Sequence, residues 1–100
     1  MPLTLEVEAR HVSGRATERL DLEENTLTVR ELIESRVRQQ LQGRGGVDSR
    51  KAVADALAAF GRKTYLVILD DRRLENLEER VTLTPVSRLT FWRLVPLVGG

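Results

Sequence analysis

The chain runs out through Pro96-Leu97-Val98-Gly99-Gly100, and its last two residues are the ones whose type most favours chemistry. Glycine lacks a Cβ and accepts almost any φ/ψ, so Gly99 and Gly100 suit close approach to the backbone. At an average glycine usage of about 7%, two final glycines arise by chance in roughly 0.5% of chains, so the pair alone is weak evidence. The side chains offer less. His11 is the one histidine; beside the first turn and without a paired nucleophile, it reads as a solvated hairpin residue. Ser13, Ser35, Ser49 and Ser87 fall in turns, on a polar helix face, at a helix cap and in a loop, with no G-x-S-x-G elbow. Asp70-Asp71 and Glu78-Glu79 are acidic pairs of the kind that sit solvated on surface turns. No EF-hand, P-loop or zinc spacing occurs. Cys is absent, which excludes a disulfide framework, a thiolate metal site and a cysteine nucleophile. Nothing among the side chains supports an enzyme, a bound cofactor or a metal.

Composition narrows the partners. One hundred residues fit one domain with a modest core. Sixteen Lys+Arg against fifteen Asp+Glu leave a formal charge of +1, so no global field draws nucleic acid or an anionic membrane. Arg30, Arg36, Arg38, Arg44, Arg50 and Lys51 make the middle of the chain locally basic, half offset by Glu31, Glu34 and Asp48. With so few aromatics an RNA-stacking sheet is hard to build, and a basic face for an acidic protein partner fits better. Lysine is confined to Lys51 and Lys63 against fourteen arginines, the bias of a GC-rich genome, and the chain so offers few side-chain amines. The first residues, Met1-Pro2-Leu3-Thr4-Leu5-Glu6, show no secretory signal, and no apolar stretch approaches the ~20 residues of a bilayer span. The expected location is the cytoplasm.

The elements that must position the tail follow from the periodicities. Leu3–Ala9 alternates apolar and polar residues, Ser13-Gly14 marks a turn, and Arg15–Leu22 resumes the alternation: a hairpin. Thr28-Val29-Arg30-Glu31 fits a capping box, and Val29, Leu32, Ile33, Val37 and Leu41 form one helical stripe, ended by Gly43-Arg44-Gly45-Gly46. A second helix is expected from Asp48 or Ser49 to Phe60, with Gly61 at its C′ position. Thr64–Leu69 is an unbroken apolar run, expected to be a central strand covered on at least one face. Asp70–Arg73 reads as a turn, and Leu74, Leu77 and Val81 anchor a charged connection. Leu89–Val95 is the last strand, stopped by Pro96.

Hairpin, crossover helix, extra helix, central strand, short connection and terminal strand resemble the ubiquitin-like β-grasp family. The resemblance is carried by Thr28-Val-Arg-Glu-Leu-Ile33 and by Phe91-Trp-Arg-Leu-Val-Pro-Leu-Val-Gly-Gly100. It implies an α+β fold: a mixed sheet of four to five strands, one main crossover helix and an extra helix at about 48–60. Residues 1–95 form the domain and 96–100 a flexible tail. The 43–61 segment is larger than ubiquitin's and looks more like the family's sulfur carriers.

The same resemblance, to bacterial ubiquitin-like modifiers and related sulfur carriers, implies a chemistry. An adenylating (activating) enzyme spends ATP on the Gly100 carboxylate, making an acyl-adenylate that a thiol or sulfide attacks. The chain is then a substrate, not a catalyst. As a modifier it passes through a thioester to an isopeptide bond with a target amine, with conjugating enzyme, deconjugating protease and target proteins as partners. As a sulfur carrier it ends as a thiocarboxylate serving molybdopterin- or thiamine-type synthesis. A third reading is an interaction module that never uses its tail. From Pro96 to Gly100 the tail spans roughly 16–18 Å when extended, and the apolar Leu97 and Val98 call for a partner that buries them. By strand parity, Phe91, Arg93 and Val95 share one face and Trp92 and Leu94 the other. With Phe91 inward, which the family resemblance favours, Trp92 and Leu94 lie on the open sheet face, the family's usual docking surface, and Arg93 must snorkel; the opposite assignment buries Trp92.

Overall fold

The computed structural model describes residues 1–11, 13–46 and 48–94. The hairpin forms as expected, from β1 (Leu3–His11) and β2 (Gly14–Leu22), in register from Leu3↔Leu22 to His11↔Gly14. A short β3 (Thr26–Thr28) leads into α1 (Val29–Gln40). The Thr28 hydroxyl accepts the Glu31 N–H at 3.1 Å, and the Glu31 carboxylate accepts the Thr28 N–H at 2.8 Å, which completes the capping box. α1 stops at Gln40 with Leu41 as C-cap, so Leu41 ends the helix instead of extending its stripe.

Asp48 caps α2 (Ser49–Gly61), accepting the Arg50 and Lys51 N–H groups. The exit from α2 corrects the sequence reading. Gly61 is the last helical residue, and the left-handed position falls on Lys63 (φ 60°). Lys63 N–H bonds the Phe60 carbonyl and Thr64 N–H the Ala59 carbonyl, the pair of bonds of a Schellman motif, displaced two residues beyond the glycine.

The remaining strands are β4 (Tyr65–Leu69), β5 (Arg72–Leu74), β6 (Arg80–Thr82) and β7 (Leu89–Arg93). Asp70–Arg73 is therefore not all turn. Only Asp70 and Asp71, both at positive φ (49° and 69°), make the reversal, and Arg72 already pairs with Leu69. Five strands form one sheet in the order β2-β1-β7-β4-β5, and β3 pairs with β6 in a separate two-stranded sheet. β1 and β7 are parallel neighbours at the centre; the other pairs are antiparallel. A hairpin, a helix crossing one face and a last strand inserted parallel to the first make this an α+β, ubiquitin-like β-grasp fold.

Both helices cover the same face. Leu5, Val7, Leu20, Leu32, Ile33, Val67, Leu74, Leu83, Leu89 and Phe91 are buried between them and the sheet. Each such side chain contributes about 1.5–3 kcal/mol. Phe60 joins that core, so α2 supplies part of the packing. Arg36 ties α1 to the sheet: its guanidinium bonds Glu18 at 3.2 and 3.1 Å and lies 4.3 Å from the Phe91 ring centroid. Among the described residues, no helix is long and apolar enough to cross a membrane.

Candidate functional site

β7 delivers the chain to the tail from the middle of the sheet. Its described strand ends at Arg93, and Leu94 adds one more rung by donating its N–H to the Thr64 carbonyl at 3.0 Å. Val95, Pro96, Leu97, Val98, Gly99 and Gly100, which include most of the expected site and the proposed boundary at residue 95, lie outside the described residues.

The parity expectation for β7 holds. Phe91 is buried against the helices, with Tyr65 at 6.3 Å between ring centroids, and Trp92 points to the face no helix covers. Leu94 is 44% exposed. Arg93, awkward on an inner face, sits opposite Tyr65 at the sheet's end and is exposed, so its charge stays in water. Burial pushes the Tyr65 phenol up to about 12, and its hydroxyl donates to the Ala56 carbonyl at 2.8 Å, so it remains a neutral strut between β4 and α2.

Two further residues share the open face with Trp92. The register sets Leu66 opposite Trp92 and Ile68 opposite Thr90, all half-buried. Arg10, paired in register with Trp92 on its other side, stacks its guanidinium 4.4 Å from the indole centroid. Leu66, Ile68 and Trp92 thus make an apolar strip on an otherwise charged sheet. The signal for Leu66 and Ile68 was the unbroken run Thr64–Leu69, because apolar residues at both parities must face both sides. Below the strip, a groove of about 580 Å³ runs between Glu6, Glu8, Thr90 and the loop bearing Pro85, Val86 and Arg88.

Charge is unevenly spread along the strands. β1 and β7 finish at the end from which the tail departs, and β2 and β4 begin there. That end carries Arg10, Arg15, Arg62, Lys63 and Arg93, with Glu8 lying 3.5–3.6 Å from the Arg10 and Arg15 guanidinium nitrogens. The opposite end is mixed: Asp21, Glu23, Glu24, Asp70 and Asp71 lie there with Arg72, Arg88 and the Met1 ammonium, which bonds Glu24 at 2.9 Å. The locally basic middle of the chain is a different set of residues. There Arg30 pairs with Glu78, Arg36 with Glu18, Arg38 with Glu34 and Lys51 with Asp55. His11 bonds Ser13 at the hairpin tip through Nδ1 at 3.0 Å and is exposed.

No protein-family model matches the chain, and no curated protein matches it. Among solved structures, a ubiquitin-like protein from Trypanosoma brucei is similar to it over 93% of this chain and 98% of that one, at 20% sequence identity and a TM-score of 0.42. The ubiquitin-like fold itself rests on the strand order, the parallel β1–β7 pair and the single covered face.

Proposed function

We propose that this chain is a ubiquitin-like protein modifier whose Gly100 carboxylate is adenylated by an activating enzyme and joined to target amines. The observation that carries the reading is a β-grasp domain whose central strand β7 leads directly into a segment ending Gly99-Gly100. The reading requires Gly100 to bear the free α-carboxyl in the acting form. The carboxylate attacks the α-phosphorus of ATP and pyrophosphate leaves. A thiolate then displaces AMP to give a thioester, and a target amine displaces the thiol to give an amide. The chain supplies the acyl group and a surface, and the partners supply the catalysis. The partners are the activating enzyme, a conjugating enzyme, target proteins and a deconjugating protease, in the cytoplasm.

Two parts of the described fold support a docking role beside the tail. Trp92 and Leu94, joined by Leu66, give a partner an apolar strip next to the last described residue, Leu94. The basic end around Arg62, Lys63 and Arg93 suits an acidic rim on the activating enzyme. One feature favours a second reading, the sulfur carrier: helix α2, in the segment that resembles those proteins, with Pro96 before a short apolar step. In that case sulfide replaces the thiol and leaves Gly100 as a thiocarboxylate.

Mass spectrometry of Gly100 in protein recovered from its host tests both. An isopeptide linking Gly100 to a foreign peptide is the expected result. A terminal oxygen replaced by sulfur establishes the carrier instead. A plain carboxylate in every fraction, with ATP and the host's adenylating enzymes present, overturns both and leaves an interaction module.

A further inference from the structure

We infer that Gln39 closes the outer edge of β2 to a second copy of this chain. β2 ends the sheet, paired with β1 on one side only. In an antiparallel ladder alternate residues turn both backbone polar groups toward the partner strand and the rest turn them outward. The closing pair His11↔Gly14 sets the even-numbered residues of β2 toward β1, leaving Arg15, Thr17, Arg19 and Asp21 facing out. Such a row is a template for another strand.

Gln39, near the end of α1, reaches that row. Its Oε1 accepts the Asp21 N–H at 2.8 Å, and its Nε2 donates to the Arg19 carbonyl. A carboxamide carries the same donor and acceptor as a peptide unit, so this one side chain stands where a sixth strand would bond. Among the described residues, no other hydrogen bond reaches the outer backbone groups of β2.

The strand that fits this edge best is β2 of another copy, because antiparallel self-pairing is isologous and closes on itself. Centred on Glu18, that register sets Arg15 opposite Asp21 of the second copy and Thr17 opposite Arg19 of the second copy. The first pair is oppositely charged. The like-charged meeting of the two Glu18 side chains is relieved, since each is already held by Arg36. This pairing needs the Arg19 carbonyl and the Asp21 N–H on both copies, the two groups that Gln39 occupies.

The test is sedimentation equilibrium of the full chain over a wide concentration range, with amide exchange read at Asp21. Wild type is expected to stay monomeric. Gln39→Ala is expected to dimerise with rising concentration and, when dilute, to exchange the Asp21 amide roughly tenfold faster, as loss of one hydrogen bond implies. Adding Thr17→Pro, which deletes an outward N–H without touching the β1 ladder, should return Gln39→Ala to monomer. Gln39→Glu keeps the acceptor for Asp21 but loses the donor to Arg19, and should fall between; it carries the test if Gln39→Ala does not fold. A Gln39→Ala chain that stays monomeric, a dimer that Thr17→Pro fails to dissociate, or a wild type already paired through β2 each overturns the inference.

Discussion

Two residues at the end of α2 have their conformational roles exchanged. Gly61 takes a helical place that any residue can fill, and a Cβ built there meets nothing within 4 Å. Lys63 holds the left-handed position (φ 60°), which costs an L-residue with a side chain about 1–2 kcal/mol. Gly61→Ala is therefore expected to stabilise the fold by about 0.5–1 kcal/mol through helix propensity. Lys63→Gly should add about 1 kcal/mol after the extra freedom of the unfolded chain is allowed for. Together they should raise the melting temperature by several degrees in calorimetry, and a fall with Lys63→Gly would contradict the Schellman assignment. At the other helix, the Thr28 backbone N–H, then the Thr28 hydroxyl, holds the Glu31 carboxyl below its ordinary value of 4.5. A carboxylate with a lowered folded-state value stabilises above its ordinary value and loses that contribution as pH falls through the lowered one. Urea melts from pH 6 to pH 2.5 should show wild type losing stability relative to Glu31→Gln below about pH 4.5, with the gap constant above pH 5. A gap independent of pH would mean that the capping box does not titrate.

At the scale of elements, the turn between β4 and β5 depends on two unlike aspartates. Asp70 clamps the start of β7: its N–H donates to the Arg88 carbonyl and its Oδ1 accepts the Arg88 N–H, both at 2.9 Å. Asp71 shares the positive φ and accepts no hydrogen bond from that loop. Asp71→Gly should therefore stabilise by about 0.5–1 kcal/mol, and Asp70→Ala should destabilise by about 1–2 kcal/mol through the lost bond and the strain of alanine at that φ. Equal effects of the two substitutions in denaturant melts would refute the division. The same turn shows what the sequence carried poorly. Hairpin, helices and both central strands were legible, because each spans enough residues for its period to register. β3, β5 and β6 span three residues each, too few for alternation, and β3 and β6 find each other across more than fifty residues of chain, from Thr26 to Thr82. In the site, parity set Phe91 and Trp92 on opposite faces but left open which one faced the core; the family resemblance favoured Phe91, and Phe91 is the buried one. Leu66 and Ile68 stayed hidden because β4 is apolar on both faces, and periodicity cannot separate a buried face from a docking face.

For the whole molecule, a net charge of +1 conceals a basic cluster at one end, and that bears on how the proposed activating enzyme finds the tail. Steering depends on where charge sits relative to the reacting group, and here the basic residues surround the exit of the chain toward Gly100. Fields from exposed charges fade over about 8–10 Å at physiological salt, so Arg62, Lys63 and Arg93 act on a partner's rim near the tail, while Glu23, Glu24 and Asp71 at the far end are screened from it. If an acidic rim receives this end, the second-order rate of adenylation should fall severalfold as salt rises from about 0.05 to about 0.5 M. Arg62→Glu combined with Arg93→Glu should lower that rate roughly tenfold at low salt and flatten its salt dependence, whereas Glu23→Lys combined with Glu24→Lys should leave it unchanged. Adenylation followed by pyrophosphate release, under conditions where encounter limits the rate, makes the comparison. A rate indifferent to salt and to both pairs would assign recognition to the apolar strip of Leu66, Trp92 and Leu94. Trp92→Ala should then raise KM with little change in kcat, since a contact made equally before and during the reaction affects binding alone.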